Sequence, residues 1–301
     1  MIMTMTGRVI RLRGKNFAVV AEGKEYTCEV LGKAKRGTGQ TVVAVGDIVD
    51  FVPAAEGSGG IERVHPRLTK FSRVKVGEEV QGNEQVIVSN VDQLVIVVSV
   101  REPELKLHLI DRFMVAAFKG GLKPLVVINK IDLKHKQDLE RIKRIYESLE
   151  VPAIPTSCVD GMGVDRLREL LRDHESIFVG HSGTGKSSLL NLVQPGLSLR
   201  TGEVSRATAK GIHTTTSVEL YPLAGGGYIV DSPGLKVMGI WDINKEELEN
   251  YFPEFDSYRG TCKFRRCSHL HEPECPIRQA VSEGMIFPER YQSYQKIYQD
   301  L

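Results

Sequence analysis

From Thr6 to about His65 the chain consists of short apolar runs separated by turn residues: GRVIRLRG, FAVVAEG, EYTCEVLG, TVVAVGDIVDFVP and IERVHP, with no helical period. In the first run Ile10 and Leu12 alternate with Arg11 and Arg13, the period-two pattern of a strand with one buried and one basic face. About five such strands suit a small closed barrel of the OB type. From about Asn90 the pattern changes to apolar strands alternating with helical stretches, LVIVVSV, LHLIDRFMVAAFKGG, PLVVINK and QDLERIKRIYESLE, which predicts a parallel sheet covered by helices on both faces. Leu94 to Val98 and Leu125 to Ile128 are continuously apolar, as expected of central strands buried on both faces, so function belongs at their C-terminal ends. After about Trp241 the chain becomes helical and Cys/His-bearing. Its closing stripe, Tyr291, Tyr294, Ile297, Tyr298 and Leu301, reads as packing.

These changes of pattern divide the chain into an OB-type barrel over residues 1–66, a P-loop α/β domain over 67–242 and a helical metal-binding domain over 243–301. A length of 301 residues accommodates such a multidomain α/β architecture. Apolar residues make up 41% and charged residues 26%, and no apolar run approaches a membrane span, so no membrane association is expected. The N-terminal stretch, with Arg8, Arg11 and Arg13 and no long apolar segment, does not read as an export signal, and a cytoplasmic location is expected. A net charge of +2 neither requires nor excludes nucleic acid. The basic face of the barrel and the tail Arg63, His65, Arg67, Lys70, Arg73 and Lys75 suit RNA; the alternative is a solvated basic surface.

Gly180-His181-Ser182-Gly183-Thr184-Gly185-Lys186-Ser187 fits GxxxxGK[ST], follows the strand-like Ile177-Phe178-Val179 and leads through Ser188 into a helix-like stretch. Its glycines let backbone N–H groups turn toward phosphates, Lys186 reaches the β- and γ-phosphates, and the Ser187 hydroxyl ligates Mg²⁺. Asn129-Lys130-Ile131-Asp132 closes the second central strand. An ionised Asp132 can accept two parallel hydrogen bonds from guanine N1–H and its exocyclic amine, a donor pair adenine lacks. Lys130 would lie over the ring, and Asn129 would tie loops together. Thr156-Ser157-Cys158 sits where a second guanine loop would follow, although an ordinary loop explains these three residues equally well.

Asp231-Ser232-Pro233-Gly234 ends the strand Tyr228-Ile229-Val230 and places a carboxylate to hold Mg²⁺ through water and a glycine N–H to meet the γ-phosphate. Between the phosphate loop and this DxxG lies Gly211-Ile212-His213-Thr214-Thr215-Thr216, where a switch threonine, Thr214 or Thr215 among the candidates, completes the Mg²⁺ shell. The expected ligands are therefore GTP or GDP with Mg²⁺. The NKxD motif precedes the other motifs, whereas standard GTPases run phosphate loop, switch, DxxG, NKxD; the domain reads as circularly permuted. In this order the γ-phosphate-sensing segments lead directly into the C-terminal region and would act on it as a lever. After DxxG stands Leu235 rather than a water-orienting glutamine, which predicts slow turnover. His213 is the candidate catalytic replacement, as a neutral imidazole holding the attacking water, with a solvent-exposed loop histidine as the alternative. Rival readings are a small-molecule kinase, disfavoured by the lack of a second substrate motif, and a switch that hardly hydrolyses its nucleotide.

Cys262, Cys267, His269 and Cys275 have the spacing of a closed tetrahedral Zn²⁺ site, one ion per chain, with His271 a competing fourth ligand by proximity. Lys263, Arg265 and Arg266 lie between the first two cysteines, where a basic loop held by metal suits phosphate backbones; the alternative is a purely structural knuckle.

These motifs in this order resemble the bacterial ribosome small subunit-dependent GTPases of the YjeQ/YloQ type, which are circularly permuted, and the resemblance spans essentially the whole chain. It rests on the OB-like segment, NKID at 129–132, GHSGTGKSS at 180–188, GIHTTT at 211–216, DSPGL at 231–235 and the Cys262/Cys267/His269/Cys275 pattern. The resemblance implies GTP hydrolysis in late maturation of the small (30S) ribosomal subunit. It also implies contact with 16S ribosomal RNA through the OB and zinc domains, and hydrolysis stimulated by the ribosome. It further suggests His213 as catalytic residue and His269 rather than His271 as zinc ligand. A monomer is expected.

Overall fold

The computed structural model of the chain describes residues 4–32, 42–74, 84–133, 138–197, 218–231 and 243–301, with only the backbone of Arg13, Glu56, Val74 and Asp231. Five strands, β1 (Met5–Arg13), β2 (Asn16–Ala21), β3 (Lys24–Val30), β4 (Ile48–Pro53) and β5 (Ser58–Val64), pair in the closed circuit β1-β2-β3-β5-β4-β1. The β3–β5 pairing is parallel and the others antiparallel, which gives the expected OB-type barrel. Val9, Val19, Cys28, Val49, Phe51 and Ile61 fill its interior without solvent exposure.

The first strand does not present its faces as the alternation suggested. A β-bulge between Val9 and Arg11 makes Ile10 the extra residue, so Val9 enters the barrel core while Ile10 packs outward against the neighbouring sheet. The arginines flanking the bulge are half-buried in a seam. Arg8 forms a bidentate pair with Glu175 and donates to the Asn90 carbonyl, and Arg11 pairs with Glu219 and Glu25. Farther along, Arg67 forms a bidentate pair with the fully buried Asp47 at 2.8 Å, His65 meets Asp50, and Lys70 meets Glu84. These pairs occupy His65, Arg67 and Lys70 of the basic tail, whereas Arg63 is exposed. Lys75 lies outside the described residues.

A hairpin of β6 (Lys70–Val74) and β7 (Glu84–Ser89) leads into the α/β domain. Its sheet runs β10 (Ala153–Pro155), β9 (Lys123–Asn129), β8 (Gln93–Ser99), β11 (Glu175–Val179), β13 (Tyr228–Asp231), β12 (Glu219–Pro222), all parallel except β12. β8 is buried along its full length, as its unbroken apolar run required. Alternate strand residues face opposite layers. Leu94, Ile96, Val126, Ile128 and Ile177 pack under α1 (Leu107–Lys119) and α2 (Leu139–Glu147), and Val95, Val97, Leu125, Val127 and Phe178 pack under α3 (Val164–Leu171) and α4 (Lys186–Val193). Each such side chain, fully removed from water, contributes about 1.5–3 kcal/mol of transfer free energy. The sheet is continuous with the barrel through β1 and β12, where Arg11 is opposite Glu219.

The C-terminal segment forms two short 3-10 turns, Leu248–Tyr251 and Pro253–Tyr258, then α5 (Pro276–Ser282) and α6 (Pro288–Asp300). Phe252, Phe255, Ile277, Tyr294 and Ile297 make its core, so the aromatic stripe of α6 is packing. α6 lies on α1 through a buried ionic cluster. Arg290, 2% exposed, pairs with Asp111, 0% exposed, and donates from Nε to Glu254 at 2.7 Å. The Tyr146 hydroxyl donates to Asp111 at 3.1 Å.

Removing one partner of such a pair leaves an uncompensated buried charge. Arg290→Ala is expected to destabilise the protein by about 3–5 kcal/mol. Lys143→Ala, which breaks an exposed i,i+4 pair with Glu147, should cost less than about 1 kcal/mol. Urea denaturation followed by circular dichroism measures both.

Candidate functional site

The C-terminal ends of β8, β9, β10 and β11 lie along one edge of the sheet, and the loops leaving them carry the predicted nucleotide motifs. The phosphate loop, Gly180 to Ser187, joins β11 to α4, with Lys186 the first helical residue. Gly180 and Gly185 are held at φ +143° and +90°. A Cβ on Gly180 would stand 2.1 Å from the Val97 carbonyl oxygen, and one on Gly185 would stand 2.3 Å from Asn129 Nδ2. No other residue fits these places. Lys186 Nζ donates to the carbonyls of Gly180 and His181, so the ammonium is folded over the loop. Thr184 is buried and closes the loop through Oγ1 to the His181 carbonyl at 3.0 Å. His181 is partly buried; burial and the neighbouring Lys186 depress its pKa, which favours the neutral ring. Ser187 and Ser188 lie half-buried in the first turn of α4, and Ser182 is exposed.

Asn129, 1% exposed at the end of β9, joins three loops. Its Nδ2 donates to the Thr184 carbonyl at 2.9 Å, and its Oδ1 accepts from Thr156 Oγ1 at 3.2 Å with the Cys158 thiol at 3.6 Å. The segment Thr156-Ser157-Cys158 is therefore attached to NKxD, and the Ile131 N–H donates to the Thr156 carbonyl at 3.2 Å. Ser157 is fully buried and its hydroxyl accepts from the Val159 N–H, so it shapes the loop. Burial raises the Cys158 thiol pKa, making it a poor nucleophile. Lys130 adopts φ +62° and donates from Nζ to the Glu102 carbonyl, which holds its stem across the edge; Asp132 is exposed beside it. The loop carrying Glu102 and Pro103 follows β8 and adjoins Gly183, a contact that no sequence spacing signals. Asp231 ends β13 in backbone register with Glu219. His213, Thr214, Thr215 and Gly234 lie outside the described residues.

At the other end of the chain the ligating atoms of Cys262, Cys267, His269 and Cys275 all lie within 4.8 Å of one another. His269 Nδ1 is 3.6 Å from Cys262 Sγ and 3.4 Å from Cys275 Sγ, and the Cys267 and Cys275 sulfurs are 3.9 Å apart. Sulfurs at about 2.3 Å from a tetrahedral ion stand about 3.8 Å apart, so the donor set fits a metal. His269 is 3% exposed, and its Nε2–H donates to Glu249 at 2.8 Å, leaving Nδ1 as the lone-pair nitrogen facing the sulfurs. His271 is exposed and stands outside the cluster. Burial pushes the Cys267 thiol up to about 12, so a cation is needed to hold it as thiolate at neutral pH. Tyr291 and Tyr294 of α6 donate to the carbonyls of His269 and Ser268 and fix the loop from behind. Glu249 and these tyrosine bonds are supports that spacing alone does not reveal.

A phosphate loop and a guanine-type loop joined at one sheet edge, with NKxD earlier in the chain than the phosphate loop, define a circularly permuted P-loop GTPase with an N-terminal barrel and a C-terminal Cys/His module. The chain belongs to the RsgA GTPase family, whose model matches residues 64–241. It is 41% identical to the small ribosomal subunit biogenesis GTPase RsgA of Chlorobaculum tepidum over 97% of this chain and 96% of that protein. It is 39% identical to the protein of the same name from Thermotoga neapolitana over 100% of this chain and 98% of that protein. Among solved structures, YjeQ from Thermotoga maritima superposes with a TM-score of 0.79 at 36% identity over 99% of both chains. The circularly permuted GTPase YloQ superposes at 0.74 and 26%, over 99% of this chain and 95% of that one. The protein is thus an enzyme that hydrolyses GTP.

Asn129→Ala leaves the buried Thr184 carbonyl without its donor, a loss of about 1–3 kcal/mol. It is expected to weaken guanine nucleotide binding by up to about 5- to 150-fold, read by fluorescent-nucleotide titration. Glu249→Gln should lower metal affinity about 10- to 100-fold, measured by competition with a chromophoric chelator.

Proposed function

We propose that this GTPase acts in late maturation of the small ribosomal subunit, binding 16S ribosomal RNA and hydrolysing GTP faster when the subunit is bound. The observation that carries this reading is full-length similarity to proteins named as small ribosomal subunit biogenesis GTPases, together with the intact union of guanine and phosphate loops through Asn129. In this reading Asp132 and Lys130 select guanine, with the Ser157–Cys158 loop beside the base. The backbone from Gly180 to Gly185, Lys186, Ser187 and Ser188 hold the phosphates. Ser187, Thr214 or Thr215, and Asp231 complete the surroundings of Mg²⁺, Gly234 meets the γ-phosphate, and His213 positions the attacking water. Mg²⁺ supplies charge neutralisation between the β- and γ-phosphates when bound. The cation of the Cys₃His cluster is Zn²⁺, which the three thiolates and one imidazole favour. Divisions at residues 66 and 242, a monomeric state and a cytoplasmic location complete the proposal; no helix among the described residues is long and apolar enough to cross a membrane.

GTP turnover of the purified protein, with and without small ribosomal subunits, tests the reading. Stimulation is expected, up to about 10³- to 10⁵-fold by the precedent of partner-assisted GTPases. It should be lost in Asp132→Asn and Lys186→Ala, and His213→Ala should retain nucleotide binding while losing single-turnover hydrolysis. A rate indifferent to the subunit overturns the ribosomal assignment and leaves the GTPase intact.

A further inference from the structure

The aromatic side chains of the C-terminal module are mostly buried or half-buried: Phe252 and Phe255 are inaccessible and Tyr294 is 1% exposed. Phe264 is different. It is 44% exposed and sits in the tetrapeptide Lys263-Phe264-Arg265-Arg266, whose four residues are all exposed and whose ends are Cys262 and Cys267 of the metal cluster. Two ligands of one site thus anchor the loop, and Tyr291 and Tyr294 hold the cluster through the carbonyls of His269 and Ser268. Lys263 has a partner, Glu274 at 3.3 Å, in a pair more than half exposed on both sides and therefore weak. Arg265 and Arg266 form no ion pair with any described residue. Phe264 lies outside the module's buried apolar cluster and keeps 44% of its surface open to solvent among three cations.

We propose that Phe264 is a stacking platform for an unpaired base of RNA, with Arg265 and Arg266 taking the phosphates on either side. The inference rests on the ribosomal reading above and names the residue by which the metal-anchored loop engages single-stranded RNA. One ring is a complete binding surface for one base, and stacking accepts any base because each presents a π-face. A protein partner needs far more: a standard interface covers about 800 Å² per side around an apolar core. This loop offers one apolar side chain among cations. Paired RNA presents phosphates but no free base face to a ring, so the loop distinguishes single strands from duplexes.

The test uses the full chain and a fluorescein-labelled single-stranded oligoadenylate of about twelve nucleotides, within the length such sites cover, with an RNA duplex of equal length as control. Phe264→Ala is expected to weaken binding to the single strand about 5- to 150-fold, the loss of one base stack, and to leave duplex binding within about twofold. Phe264→Trp should keep the affinity, and the added indole emission should be quenched by the oligonucleotide. Arg265→Ala and Arg266→Ala should each reduce the slope of log affinity against log salt by about 0.7, which Phe264→Ala leaves unchanged. Metal content and circular dichroism of each variant report an intact fold. Equal affinities of wild type and Phe264→Ala for the single strand, added emission in Phe264→Trp that the oligonucleotide fails to quench, or no binding of the oligonucleotide by wild type each overturn the proposal. Cosedimentation with small ribosomal subunits separates the two readings. If wild type fails to sediment with subunits yet Phe264→Ala loses the oligonucleotide, the ribosomal reading falls and the stacking site stands. If wild type sediments and Phe264→Ala matches it on both, the stacking site falls alone.

Discussion

The nucleotide edge depends on the amide of Asn129. Its nitrogen holds the phosphate loop at Thr184 and its oxygen holds Thr156, so the loops after β9, β10 and β11 are fixed to one another although β8 lies between β9 and β11. The space beside it admits no substitute backbone. Gly185 passes so near Nδ2 that any side chain there would displace the amide, and Gly180 is pressed onto β8. A guanine-reading loop and a phosphate-holding loop work as one site only if their separation is set to a fraction of an ångström. Here a single buried side chain sets it, at a place where an unsatisfied donor would be costly.

That constraint is spatial, which is why permutation leaves it intact. The amide needs β9 and β11 on either side of β8, and the parallel sheet provides this whichever strand comes first. Permutation changes what the sheet edges adjoin. β12 enters the sheet directly after residues 198–217, which contain the predicted switch threonines, and β13 ends at Asp231; the barrel's β1 pairs with β12 at Glu219, the register neighbour of Asp231. The barrel is thus hydrogen-bonded to the part of the sheet that borders both predicted switch segments. Arg11 pairs with Glu219 there.

Much of this was legible in the sequence, for identifiable reasons. Buried parallel strands read as unbroken apolar runs, and the phosphate loop is local, so Leu94 to Val98 and Gly180 to Ser187 identified themselves. Cysteine spacing identified the metal cluster but left His269 and His271 open. The choice is made by Glu249, twenty positions earlier, which holds the His269 ring, and no spacing rule links the two. The barrel's first strand misled because a bulge at Ile10 inverts the alternation on which the reading depends. Arg8, Arg11 and Arg67 read as a basic surface because their partners Glu175, Glu219 and Asp47 are remote in sequence or belong to another element. Charge composition counts cations, whereas folding decides which remain available for a partner. Arg265 and Arg266 are among the described cations that stay exposed.

Besides the Arg141–Glu289 pair between α2 and α6, two features join the C-terminal module to the nucleotide edge. One is covalent, through residues 232–242 after DxxG. The other is α1, which begins just after the Glu102–Pro103 loop beside Gly183 and Lys130 and carries Asp111 into the Arg290 cluster. A lever that lifts the module away from α1 must separate Arg290 from Asp111, and any arrangement that leaves either charge buried without its partner costs about 3–5 kcal/mol. Reversing a two-state equilibrium from one part in a hundred to ninety-nine takes about 5.5 kcal/mol of differential nucleotide affinity, and a stranded charge at the cluster adds a cost of comparable size. Motion of α1 and the module together keeps Arg290 with Asp111, but it strains the Tyr146–Asp111 bond to α2 and the packing of α1 on β8 and β9. The cluster therefore joins the metal module, α1 and α2 to the sheet as one packed unit, to which the loop from Lys263 to Arg266 is attached.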